Sequence, residues 1–398
     1  MNLLKTKRMA VSCLLLALAA VAAIGQTPAQ NFTNKFDGVV FSDYYYNVKN
    51  SNPAEKNKDA FTFRRIYFTW ENNITADIKW RFRIESESNG WGSTAKINPF
   101  VKQAFLQWDN LIPSHSLFFG IQETNAFKIS EEFWGYRSIE KTVMDLNKIS
   151  SSADFGIGLK GDLSAKYLHH WLMVMNGPGY GGDETDRYKK VGYALWVTPV
   201  KGLTIEGYVD YEKQNPKDAT NGSTQLGSAK DLVQATSYSD LAGFVGYTHP
   251  RFTVGFEAFQ RTNVGSGAAS ADTTGKYGYK ITKPADVIRM GWSAFGSWIT
   301  PVKNVKVFAR YDSYDKNNND NTYTSFDETK GKLGGSGLND ENTLFIAGLD
   351  YIPVGNVHIM PNVMIKQYSK NLNPKKEDDV TARLTVYLKF DSGKVYGE

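Results

Sequence analysis

The chain has 398 residues, 41% of them apolar and 14% aromatic, with 46 Lys+Arg, 41 Asp+Glu and a single cysteine. Setting aside Lys5, Lys7 and Arg8 leaves 43 bases against 41 acids, a balance that argues against nucleic acid or a polybasic membrane-surface role. The lone Cys13 lies in an N-terminal apolar run, so no disulfide framework is expected.

Residues 1–25 read as an export signal. The three bases precede the apolar run MAVSCLLLALAAVAAIG, and Ala22, Ala23 and Gly25 are small residues suited to cleavage before Gln26. Residues 26–398 then form one domain. No later stretch approaches the eighteen or so apolar residues of a membrane helix. A polar, aromatic-rich, exported chain fits an outer-membrane barrel or a soluble all-β protein.

Strand-like runs follow near 35–47, 60–72 and 76–88. In the third, Ile78, Trp80, Phe82 and Ile84 fall on one face, and Asp77, Lys79, Arg81, Arg83 and Glu85 on the other. The second run carries Arg64 and Arg65 side by side, which leaves its faces unassigned. Further runs lie near 99–109, 115–124, 153–162, 166–176, 188–199 and 202–213. The last of these separates Leu203, Ile205, Val209 and Tyr211 from Thr204, Glu206, Asp210 and Glu212. The remaining seven lie near 237–249, 251–263, 286–300, 303–315, 341–352, 355–368 and 378–390, where Leu384, Val386, Leu388 and Phe390 oppose Arg383, Thr385, Tyr387 and Lys389.

Pro199, Pro250, Pro301 and Pro353 recur every 51 or 52 residues, each in a short break between two runs. Trp196, Tyr247, Trp298 and Tyr351 precede them by two or three residues. Aromatics at such places are expected at a lipid–water interface. Short turns alternating with long polar loops predict an all-β fold: a transmembrane antiparallel β-barrel of about 16 strands, with periplasmic turns and extracellular loops.

A barrel of that size encloses an aqueous channel. What narrows the channel should be the third long loop, about 125–152. It carries Phe127, Phe133, Trp134, Tyr136, Ile139, Val143, Met144, Leu146 and Ile149, an apolar load that needs a surface to pack on. The loop is therefore expected to fold into the lumen. Its charges, candidate constriction residues, are Lys128, Arg137, Lys141 and Lys148 against Glu131, Glu132, Glu140 and Asp145. Candidate lumen-wall residues are Lys79, Arg81, Arg83, Glu206, Asp210, Lys306, Arg310 and Arg383; the third and last runs share one arc near Arg64 and Arg65, and the ninth run, with its acids, lies roughly opposite. Their placement suggests a basic wall facing an acidic one.

The N-terminal signal, the sixteen runs, the stretch EEFWGYRSIEKTVMDLNKISSSADFGIGLKG and the aromatic-ended last strand together resemble the phosphate-selective porin O/P family of bacterial outer-membrane porins. The resemblance implies a homotrimer of passive channels, an inward third loop and a preference for anions such as phosphate. Arg137 and Lys141 match its basic loop positions. The chain departs from it in carrying as many acids as bases in that loop, which favours general diffusion of small hydrophilic solutes and ions. Outer-membrane lipid and the barrel-assembly machinery, through the C-terminal strand, are the other expected partners, with no nucleic acid.

Other classes are weighed on the same residues. A rim-borne enzyme would need a nucleophile, base and orienting group, and His115, His169, His170, His249 and His358 advertise none in sequence. DKNNNDN from Asp315 lacks the glycine and closing glutamate of a calcium loop, so no metal and no cofactor is expected. No plug-like segment precedes the first run, against a plugged, specific transporter. A soluble secreted adhesin is the remaining alternative.

Overall fold

The structure, a computed structural model, describes residues 33–87, 97–164, 167–184, 187–214, 236–275, 278–318, 325–327, 332–334, 341–370 and 375–392. The expected export signal lies outside these residues. Alternating apolar and polar residues build strands β1 (Thr33–Lys49), β2 (Asp59–Asn73), β3 (Ile78–Glu87), β4 (Phe100–Asp109), β5 (His115–Glu123) and β6 (Ala153–Ser164). They continue as β7 (Leu168–Met175), β8 (Lys190–Val197), β9 (Leu203–Lys213), β10 (Ser237–His249), β11 (Phe252–Gly275) and β12 (Gly278–Ile299). β13 (Val305–Asp315), the short β14 (Ser325–Asp327) and β15 (Lys332–Gly334), then β16 (Asn342–Val354), β17 (Val357–Tyr368) and β18 (Asp379–Asp391) complete the chain.

Sixteen of these strands close into one antiparallel barrel, each beside its sequence neighbour, with β13 beside β16 and β18 back on β1. The closing seam pairs Val40 with Leu388 and Asp43 with Thr385. Closure leaves no strand edge and satisfies every ladder, as hydrocarbon demands. Strands β14 and β15 form a separate hairpin in the β13–β16 connection.

The side-chain period of two decides what each face meets. On β9, Thr204, Glu206, Tyr208 and Asp210 are buried inside, while Ile205, Val209 and Tyr211 stand out on the outer surface. Leu241, Val254, Phe345, Leu384 and Leu388 continue that apolar belt. Seven connections of two to five residues lie at one end, and the others at the opposite end.

Two expectations are corrected. First, β11 and β12 were expected to stop at 263 and start at 286, but they stay paired to Gly275 and Gly278 with several register shifts. The small polar residues of that stretch carry no period-two alternation in sequence. Second, Trp196 does not join Tyr247, Trp298 and Tyr351 on the outside; it pairs with His169 and Glu206 on the inward parity and lies 5.3 Å from the His169 ring. On the second run, whose faces the sequence leaves open, Arg64 and Arg65 both point inward. The β1–β2 ladder steps from Phe41–Arg65 to Ser42–Phe63, so Arg64 is the extra residue of a bulge. The β3–β4 ladder does the same at Lys102, which is buried beside buried Gln103.

Candidate functional site

Residues 124–152, between β5 and β6, fold into the barrel. Their neck is tied where the Thr124 hydroxyl donates to the Ser151 carbonyl and the Thr124 N–H to the Ser152 carbonyl. A helix over Lys128–Trp134 ends at Gly135, whose φ of 67° suits a residue without Cβ and returns its N–H to the Glu131 carbonyl at 3.0 Å. A second helical turn covers Val143–Leu146.

The loop stays inside because the wall answers it in kind. Ala126, Phe127, Val143, Met144 and Ile149 pack with Trp171, Met173, Met175, Tyr208 and Phe259. Trp134, Tyr136 and Ile139 pack with Phe244, Phe295, Phe308, Ile346 and Met360. Trp134 is 2% exposed and Ile139, Val143 and Ile149 are fully buried. Each such side chain contributes about 1.5–3 kcal/mol of apolar burial. One side of the barrel interior, β7 to β13 with β16 and β17, is thus a seat for the loop and not a water-filled wall.

Polar contacts then pin the loop backbone. Arg64 Nη1 of β2 donates to the Ile139 carbonyl at 2.5 Å, Arg310 of β13 to the Lys141 carbonyl, and Arg261 of β11 to the Ile149 carbonyl. Glu257 Oε1 accepts from the Val143 N–H at 3.3 Å. Three guanidinium groups from three strands hold three loop carbonyls with charge-assisted bonds.

The loop charges pair among themselves and with the neck. Lys128 meets Glu123 at 3.1 Å and Glu132 at 3.5 Å. Arg137 meets Asp145 at 2.7 Å and also Glu131, and Lys141 approaches Asp145 at 3.9 Å. Burial pushes the Asp145 carboxyl up, and the Arg137 and Lys141 charges more than offset this, holding it below the usual carboxylate range. The Glu140 carboxylate accepts from the Lys141 N–H at 3.0 Å and faces the long-loop side of the lumen. Lys148 is exposed at a left-handed turn, φ 54°.

The lumen is divided in two. A cavity of about 520 Å³ on the short-turn side is lined by Arg83, Glu123, Lys128, Glu132, Arg137 and Lys306 among others. A second, of about 430 Å³ on the long-loop side, is lined by Glu140, Asp312, Lys366, Asp379 and Arg383. The loop segment around Ile139 and Glu140 lies between them.

The wall residues expected from sequence divide accordingly. Lys79 pairs with Asp109 at 2.7 Å, Arg81 pairs with Glu71, and Arg83 donates to the Thr69 hydroxyl at 2.8 Å. Lys306 and Arg383 line the two cavities. Glu206, Asp210 and Arg310 face inward but are covered, the first two 7% and 6% exposed. Asp210 is held by Lys190 at 2.6 Å, and Arg310 by Asp312 at 2.5 Å. The expected acidic wall opposite the basic one is therefore not open to solute: the loop's apolar seat lies over it. Sequence reasoning missed the pinning residues Arg64, Arg261 and Glu257 and the buried Arg65–Glu85–Lys102 group, with contacts of 3.0 and 3.2 Å. Two of these bases sit at bulges, which a period-two pattern hides.

No protein-family model matches the chain, and no curated protein matches it. Solved structures do. The outer-membrane channel DcaP of Acinetobacter baumannii is 12% identical with a TM-score of 0.59, the match covering 90% of this chain and 97% of that one. An anion-selective porin from Comamonas acidovorans is 10% identical at 0.57, covering 90% and 100%. OmpF of Salmonella typhi, in complex with daunomycin, is 10% identical at 0.57, covering 90% and 97%. At these identities the likeness is one of fold: the chain is a sixteen-stranded antiparallel β-barrel with the architecture of outer-membrane porins.

Proposed function

We propose that the barrel is a passive porin for small hydrophilic solutes and ions, with a mild preference for anions, and that residues 124–152 are its size filter. The observation that carries this reading is the pinned loop between two polar cavities. The preference rests on which charges stay uncompensated. Among the described residues, Arg83 and Lys306 on the short-turn side and Lys366 and Arg383 on the long-loop side make no ion pair. Of the acids without a basic partner, Glu206 and Glu257 lie buried near the loop, while Glu140 and Asp379 line the long-loop cavity and offset its two cations, so the bias rests on Arg83 and Lys306. Unpaired cations facing water bias a narrow lumen towards anions. Removal of residues 1–25 on export and association as a trimer belong to the same proposal, the latter read by native mass of the solubilised protein.

The test is single-channel conductance of the refolded barrel in a planar bilayer, with a reversal potential under a salt gradient. Stable open steps with a reversal potential of anion sign are expected. No conductance from a folded, heat-modifiable barrel would overturn the reading.

A second reading rests on one array at the short-turn rim. His169 Nδ1 lies 2.6 Å from Asp162 and its Nε2 3.3 Å from the Thr198 hydroxyl, the acid–base–hydroxyl order of a hydrolase triad. It requires ester hydrolysis that Thr198→Val abolishes. Activity unchanged in that variant, or absent from the parent, removes it.

A further inference from the structure

Bordering the loop's apolar seat, with which it shares the buried Trp171, the short-turn half of the wall carries a third cavity of about 290 Å³, spanning β2 to β7. Its floor is a strip of aromatic rings. Phe105 and Phe118 meet edge to face at 5.7 Å, and Trp171 continues the strip 6.4 Å from Phe118. Phe105 and Phe118 are only half-buried, so part of each ring is open to the lumen.

Along one border of the strip stand two ion pairs, Arg81 with Glu71 and Lys79 with Asp109. Their side chains keep access to water: Lys79 is 40% exposed and Arg81 30%. Both pairs are fixed in place. Gln107 at 2.7 Å and Ser116 at 2.5 Å also donate to Asp109, and the Arg81 guanidinium lies 5.8 Å over the Phe105 ring. At the far end, Lys160 sits 4.7 Å over Trp171.

Three kinds of solute can be weighed against this surface. A simple anion gains little, because Lys79 and Arg81 already hold carboxylates and Lys160 lies against the Trp171 ring with the Glu132 and Glu123 charges near it. An aliphatic solute would strip water from both ion pairs without replacing their hydrogen bonds. A polyhydroxylated ring suits both parts: its C–H face lies on the aromatic faces, which carry negative charge density, and its hydroxyls both donate to carboxylates and accept from Lys and Arg. The volume stands at the lower end of small-molecule pockets, about 300 Å³. We infer that this strip is a monosaccharide-sized binding site for polyhydroxylated solutes on the lumen wall. This inference rests on the passive-channel reading for its route of access.

Two measurements on the full barrel test it. D-glucose binding to the folded protein in detergent micelles is followed by calorimetry, and the open-channel current is recorded as D-glucose is added. Polyethylene glycol of about the same size serves as a control that only excludes volume. Saturable heat and a saturable current decrease with glucose, both absent with the glycol, are expected. Phe118→Leu keeps the apolar volume but removes a ring face, and should weaken half-saturation about three- to ten-fold without changing the sugar-free conductance. Glucose indistinguishable from the glycol in both measurements, or affinity unmoved by Phe118→Leu, overturns the site while an open channel still stands. Glucose binding lost in Phe118→Leu from a barrel that never conducts supports the site and overturns the channel reading.

Discussion

Arg64 reaches into the lumen from β2 to donate to the Ile139 carbonyl at 2.5 Å while its Nε lies 2.5 Å from the Asp43 carboxylate. One side chain thus joins the wall at β1–β2 to the loop segment between the two cavities. The bulge that turns Arg64 inward beside Arg65 makes that reach available. A hydrogen bond from a charged donor contributes about 1.5–3 kcal/mol, enough to decide how often this segment leaves its place. Arg64→Gln should therefore raise open-channel noise and mean conductance without changing barrel yield. A quieter or unchanged channel, recorded in the same bilayer, would show that Ile139 is held by its packing alone.

Seating of the loop should be separable from folding of the barrel. Trp134 is packed against Phe295 at 5.5 Å and Phe308 at 6.2 Å, with its Nε1 donating to the Glu140 carbonyl at 2.9 Å. Trp134→Ala removes those contacts, a loss of about 3–5 kcal/mol for a large-to-small change in a packed site. The expected outcome is new trypsin cleavage at Arg137, Lys141 or Lys148, while the cleaved chain keeps the heat-modifiable gel mobility of a closed barrel. Collapse of that mobility would mean the loop is needed for closure itself.

Gly246 of β10 makes room for the loop helix: a Cβ there would stand 2.5 Å from Phe133 Cδ1 and 2.6 Å from Phe244 Cζ. Gly246→Val should overpack this contact at a cost of about 1–3 kcal/mol and loosen the helix. Phe133→Ala in the same chain should restore part of the loss. Protease half-lives of the two single variants and the double variant form the cycle that measures it; strict additivity would sever the link between the two residues.

The barrel was legible in sequence because period two is imposed by lipid on one side and by the lumen on the other. Ile205 and Val209 against Glu206 and Asp210 could sort in no other way. The loop's inward fold was legible too, since Trp134, Ile139 and Met144 had to meet something apolar. What they meet was hidden, because Phe244, Phe295 and Phe308 sit at inward positions that look like ordinary strand aromatics. Bulges at Arg64 and Lys102 break the period by one residue, and a pattern of alternation has no means of locating such a step. The pairing of charges was equally out of reach. Lys79 and Asp109 are thirty residues apart in sequence and meet only through the β3–β4 register.

Selectivity should follow the unpaired cations and not the formal count of charges. Lys306→Gln together with Arg383→Gln removes one such group from each cavity. The reversal potential in a salt gradient should then move towards cation preference by a measurable step. Arg81→Gln with Glu71→Gln removes an ion pair of zero net charge and should leave it nearly unmoved. Equal shifts from the two double variants would count against selection by uncompensated charge.

The Arg137–Asp145 pair sets how the loop responds to acid. Burial raises the Asp145 carboxyl, but Arg137 and Lys141 lower it further, and its folded value ends below the ordinary one. A group shifted in that direction stabilises the folded loop fully above the usual carboxylate range, and the stabilisation fades only as pH falls through the depressed value. Open-channel noise should therefore stay constant from neutral pH down past the ordinary carboxylate range and rise only in stronger acid. Asp145→Asn leaves Arg137 with Glu131 alone and should show raised noise already at neutral pH, with the acid-induced rise reduced. A parent channel that becomes noisy between pH 6 and pH 5 would place the responsible group elsewhere, since a carboxylate held this low is still ionised there.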